Sequence, residues 1–113
     1  MENKIGQLML IDLPKIISEC KEKWNNVTLS NVNNSVIRLG VIEGEFHWHK
    51  HDNEDEFFFV IEGQLFIDLE DKTVELSDHQ GYTVPMNTIH RTRAPKRTSI
   101  LMVEQDTVSA QGD

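Results

Sequence analysis

With 113 residues the chain has room for one domain, which buries roughly two-thirds of the surface its unfolded form exposes and needs no covalent staples. Its formal charge of −8 repels phosphate backbones and anionic lipid, so nucleic acid and membrane are poor partners. Cys20 is a lone cysteine and closes no internal disulfide. No apolar run reaches the roughly 18 residues of a spanning helix, and the N-terminus lacks an export-signal pattern, which predicts a soluble, cytoplasmic protein.

In chain order, the apolar stretch Leu8 to Ile11 reads as extended. Asp12 is then a plausible helix N-cap, with Pro14 tolerated in the first turn because N–H groups there lack intrahelical partners. Leu13, Ile16, Ile17, Cys20 and Trp24 recur at helical spacing, so residues 13–24 are predicted as a short amphipathic helix with Cys20 packed on its apolar face. From Asn26 onward the pattern changes to short apolar runs cut by turn residues. Strands are predicted at 26–31, 34–43, 46–51, 56–62, 64–70, 72–76, 81–85, 89–94 and 97–104. So many short strands in succession predict an all-β sandwich or closed barrel. The chain divides into an N-terminal segment (1–25), a barrel (26–106) and a tail (107–113).

The chemistry concentrates between Gly44 and Gly63, GEFHWHKHDNEDEFFFVIEG. If 46–51 is extended, His47, His49 and His51 share one face, and Phe46, Trp48 and Lys50 the other. Imidazoles two apart on a strand can hold one cation together. Glu56 opens the next strand across a short acidic turn, and His90, after the Pro85-Met86-Asn87 turn, offers a fourth donor. Three imidazoles and a carboxylate suit one divalent transition metal such as Zn, Fe, Mn, Ni or Co. An octahedral ion so held keeps positions open for water or substrate.

His49-Lys50-His51, Glu56 and Gly63, with Gly81, Pro85 and His90 further on, resemble the two cupin motifs. The resemblance covers residues 26–104 and extends toward Gln111-Gly112-Asp113. It points to the small one-domain cupins related to mannose-6-phosphate isomerase. What it implies is a double-stranded β-helix (a jelly-roll barrel) preceded by a short N-terminal helix, with the metal on His49, His51, Glu56 and His90. Three departures stand out: Gly44 lies one residue nearer His49 than the usual glycine, Asn87 replaces a glycine, and Ala94 stands near the place of a closing asparagine. Asparagine tolerates the left-handed conformation such a turn needs.

The cupin pattern does not use His47, which is expected at the barrel mouth; His47 and Tyr82 are the candidate proton carriers. His79 reads as an exposed turn residue, Asp52 to Asp55 as a solvated loop with Asp55 placed to orient a ligand imidazole. Arg91 and Arg93 should face outward as a surface cluster balancing carboxylates, with Thr92 and Ala94 inward. The run Phe57 to Ile61 is apolar on both faces and must be covered on both, by the helix or by a second subunit. A homodimer is expected on that ground and by the resemblance. Three functions follow: a Lewis-acid isomerase or epimerase of a small polar molecule, an Fe(II) dioxygenase, or a non-catalytic small-molecule-binding protein.

Overall fold

The structure, a computed structural model, describes residues 6–109 and 112. Residues 1–5 of the N-terminal segment, and Ala110, Gln111 and Asp113 of the tail, lie outside the described residues. The elements are α1 (Leu13–Glu19), β1 (Trp24–Val32), β2 (Ser35–Glu45), β3 (Glu56–Glu62), β4 (Gln64–Leu69), β5 (Thr73–Ser77), β6 (Gly81–Val84) and β7 (His90–Gln105). All pairings are antiparallel. This is the all-β barrel with one short helix that the sequence predicts.

Asp12 caps α1 by accepting from the Lys15 N–H, and Pro14 sits in its first turn. The helix ends at Glu19, not at residue 24. Arg97 donates to the carbonyls of Cys20 and Glu22, and the Asn25 side chain both donates to the Glu22 carbonyl and accepts from its N–H. Those bonds draw the chain off the helical path, and Trp24 begins β1 instead. Leu8 has φ +63° and lies in a turn, so the Leu8–Ile11 stretch is not extended throughout.

The sheet runs β1-β2-β7-β3-β6, with β4 joining β7 and β5 joining β4. β7 is the shared neighbour: it pairs with β2, with β3 through Ser99–Glu104 and with β4 through His90–Arg93. The two strands expected at 89–94 and 97–104 are therefore one. Ile42 faces Thr98 and Gly44 faces Ala94, so Pro95, Lys96 and Arg97 bulge out opposite Glu43 alone. A bulge absorbs Pro95, which has no N–H to give a ladder, without ending the strand.

Two apolar clusters hold the fold. Inside the barrel lie Ile42, Phe58, Val60, Leu65, Ile67, Leu76, Val84, Ala94 and Ile100. On the outer face Val27, Leu29, Leu39 and Val41 pack beneath Leu13, Ile16, Ile17 and Cys20 of the helical segment, with Ile61 and Leu101 beside them. β2 is thus apolar on both faces because α1 covers one of them, and Ile61 of β3 joins that covered face; each fully buried Leu or Ile there contributes roughly 1.5–3 kcal/mol.

Arg91 and Arg93 do face outward, where they converge on Asp68 of β4. The Nε atoms of both donate to Asp68 Oδ2 at 2.8 Å, Arg93 Nη2 donates to Oδ1 at 3.2 Å, and Thr73 Oγ1 adds a bond of 2.7 Å. Arg93 above all holds the Asp68 carboxyl well below the usual carboxylate range, overcoming its burial, with Arg91 and Thr73 assisting. A depressed carboxyl stabilises the fold above its unfolded pKa of about 4, and that stabilisation fades as pH falls toward the folded value. Asp68→Asn should therefore lower stability by about 1–3 kcal/mol at neutral pH. Denaturant melts of the two proteins should converge as the buffer is made acidic; a constant gap would show that packing, not charge, is lost.

Candidate metal centre

Residues 46–51 do not form a regular strand. The Phe46 N–H donates to the Thr92 carbonyl, while His49 and His90 exchange a backbone pair as an isolated bridge. One chain advances three residues while its partner advances two, so the alternation slips by one. Phe46 consequently lines the same cavity as His49, where strict alternation places it on the opposite face. His47 and Trp48 are exposed, and the His47 ring stacks on Phe46 at 4.3 Å between centroids.

The structure brings His49, His51, Glu56 and His90 together: each offers a donor atom, and these lie within 4.8 Å of one another. Glu56 is the first residue of β3 and His90 the first of β7. His51, 3 % exposed, is tied to the turn before β7 through its carbonyl, which accepts from the Asn87 N–H. Asn87 adopts φ +63°, the left-handed conformation for which asparagine stands in for glycine.

The imidazoles are oriented for ligation. His49 Nδ1 lies 2.9 Å from the His47 carbonyl and His90 Nδ1 lies 2.8 Å from that of Thr88. A carbonyl can only accept, so both rings carry their proton on Nδ1 and keep the Nε2 lone pair available. His90 Nε2 is 3.3 Å and His51 Nε2 is 3.4 Å from Glu56 Oε1. Neither His90 Nε2 nor Glu56 Oε1 makes a hydrogen bond among the described residues, although both are buried. Leaving such atoms unsatisfied costs about 1–3 kcal/mol each, and a cation between them satisfies both. The donor set therefore fits a divalent transition metal. Burial alone would raise the Glu56 pKa, but His51 and His90 outweigh it and hold the carboxyl down; burial lowers that of His49. Both groups are thus in the ligating protonation state near neutral pH.

His49 and Glu56 of the cluster line a cavity of about 330 Å³. Trp24, Ile42, Phe46, Phe58, Ile100 and Met102 give it apolar walls, and Asn26, Arg38, Thr92 and Glu104 polar ones. Arg38 and Glu104 are site residues that the sequence reading misses. Each is a charged residue at an inward position of an otherwise apolar strand, Val36-Ile-Arg-Leu-Gly40 and Ile100-Leu-Met-Val-Glu104, and that alternation is the signal that could reveal them. Glu104 stands opposite Glu56 in the β3–β7 ladder. Burial first, then the Glu56 carboxylate, raise the Glu104 pKa against the pull of Arg38.

The other predicted residues fall as follows. Tyr82 is half-buried against the barrel core and is not among the residues lining this cavity. His79 is exposed in a turn with φ +67°. Asp55 orients no imidazole: its carboxylate accepts from the Met86 N–H and fixes the turn before β7. Glu54 is not solvated but 7 % exposed, accepting from Thr107 Oγ1 at 2.8 Å.

Comparison with known proteins agrees with this architecture. The family described as the cupin domain matches residues 36–104. YdbB of Bacillus subtilis, an uncharacterized protein, is 45% identical over 94 residues, covering 82% of this chain and 83% of that one. The crystal structure of a cupin-2 domain protein from Shewanella frigidimarina aligns with a TM-score of 0.81 at 29% identity, over 85% of this chain and 94% of that one. NMB1881 from Neisseria meningitidis shares the fold with a TM-score of 0.77 at 24% identity, over 87% and 100%. With the motif residues gathered at one end of the barrel and the family match spanning most of its strands, the chain belongs to the cupin family.

Proposed function

We propose that the protein is a divalent-metal-dependent enzyme of the isomerase or epimerase kind, acting on a small polar carbonyl or sugar-type molecule. The observation that carries this reading is that two of the four clustered donors, His49 and Glu56, line a small cavity whose wall also holds Arg38 and Glu104. When held by His49, His51, Glu56 and His90, the cation supplies Lewis acidity toward a substrate oxygen. The rest of the work belongs to side chains. Trp24 and Phe46, stacked with centroids 5.4 Å apart, form with Phe58 and Met102 an apolar surface that orients a carbon skeleton and excludes water. Glu104, inside the cavity, can hold a proton beside the substrate, and His47, stacked on Phe46 at the exposed side, can exchange one with solvent.

The test is solvent deuterium exchange. Small hydroxy-carbonyl compounds incubated anaerobically in D2O with metal-loaded protein should take up deuterium at the carbon next to the carbonyl, and His49→Ala should not support it. Turnover that consumes dioxygen in step with substrate would overturn the isomerase reading in favour of an oxygenase.

A further inference from the structure

We propose that Arg38 is an anion subsite, and that the molecule filling the cavity is a small hydroxy acid whose carboxylate seats on the Arg38 guanidinium. This deepens the reading of the cavity as a substrate site and rests on it.

Arg38 projects from β2 into the barrel, its side chain only 15 % exposed. Among the described residues its one ion-pair contact is with Glu104, Nε to Oε1 at 3.4 Å, and its buried Nε has no hydrogen bond there. The same protein shows what a settled arginine–carboxylate contact looks like: Arg91 and Arg93 both bond Asp68 at 2.8 Å. Arg38 has no such engagement with Glu104, so a planar fork of donors faces the cavity incompletely used. On the same lining, Asn26 Oδ1 is also buried without a partner, an acceptor waiting for a hydroxyl or amide donor.

Charge points the same way. A dication on the four donors, with Arg38, exceeds the negative charge of Glu56 and Glu104 together, whether or not Glu104 carries its proton. The excess is one or two positive charges, and a small carboxylate ligand offsets all or part of it. A cavity of about 330 Å³ lies near the small end for ligand sites. Its apolar walls suit a short carbon chain, Arg38 the carboxylate and Asn26 a hydroxyl hydrogen.

The experiment compares 2-hydroxybutyrate with 2-hydroxybutyramide by calorimetric or NMR titration of the metal-loaded protein, with metal content measured on the same samples. The acid should bind at least about tenfold more tightly than the amide, because a charge-assisted bond is at stake. Arg38→Met should remove that preference with metal content unchanged, and Arg38→Lys should retain part of it. A preference that survives in a folded Arg38→Met protein, even a less stable one, overturns the proposal and leaves Arg38 as a counter-ion of Glu104. If Arg38→Met does not fold, Arg38→Lys decides: an undiminished preference overturns the subsite, and a several-fold loss supports it. Inorganic phosphate competing as strongly as the acid would overturn the carboxylate assignment. Wild-type protein that takes up no metal overturns the metal reading alone. The acid-over-amide comparison on that metal-free protein, with Arg38→Met beside it, then decides the subsite separately.

Discussion

Protein carrying both His49→Ala and Glu56→Ala should purify without metal, whereas the unaltered chain should hold close to one divalent ion. The two changes remove half of a donor set whose atoms lie within 4.8 Å of one another. The loss of even an outer partner of a ligand typically costs 10–100-fold in affinity, so losing two direct bonds should cost about ten-thousandfold or more. Neither residue belongs to the apolar clusters that hold the barrel, so circular dichroism should show the fold retained. Elemental analysis of untagged protein purified anaerobically is the measurement, and full metal content in the double variant would sink the assignment. His79→Ala is the control: its side chain sits in an exposed turn, and metal affinity should be unchanged. His47→Ala should likewise keep the metal, since the four ligands assemble without it.

Gly63→Ala should be the most damaging single substitution outside the site. Gly63 joins β3 to β4 with φ +122°, a conformation that side-chain-bearing residues rarely adopt. A Cβ there would overlap Thr98 Oγ1 and lie 2.9 Å from the Thr98 Cα. Thr98 cannot yield: its hydroxyl accepts from the Gln64 N–H and lies within hydrogen-bonding distance of the Gln64 and Lys96 carbonyls. Backbone strain and overpacking together predict a loss on the order of 3 kcal/mol or more, which for a domain of this size lowers Tm by more than about 10 °C. Adding Thr98→Ala should restore only part of it, because the backbone contact and the positive φ remain. A thermal melt of Gly63→Ala within about 2 °C of the unaltered protein would contradict the account.

The sequence made some features legible because local chemistry decides them. Asp12 and Pro14 mark the start of α1, and most strand limits follow turn residues such as Gly63 and Asn87. The ligand set was readable for a similar reason, since His49, His51 and Glu56 are close in sequence and His90 follows a distinct turn. What escaped was set by pairing across the chain. The slip between Phe46 and His49 depends on how Thr92 and His90 meet them, so alternation misplaced Phe46. The length of α1 depends on Arg97, far away in sequence. Arg38 and Glu104 become partners only when β2 and β7 pair, and neither strand alone shows that its charged residue faces a cavity.

β7 also has a consequence for how the protein is made. It follows every other strand in the chain, yet β2, β3 and β4 all need it as their neighbour. During synthesis those strands emerge first and wait with open edges, which invite pairing with other chains. β7 also brings His90 beside Glu56 and Glu104 opposite it, so a chain lacking β7 has neither the full four-donor cluster nor the complete cavity wall. Assembly is thereby ordered: three of the four clustered donors are made early, and the fourth joins them only once the long strand that carries it has emerged and paired.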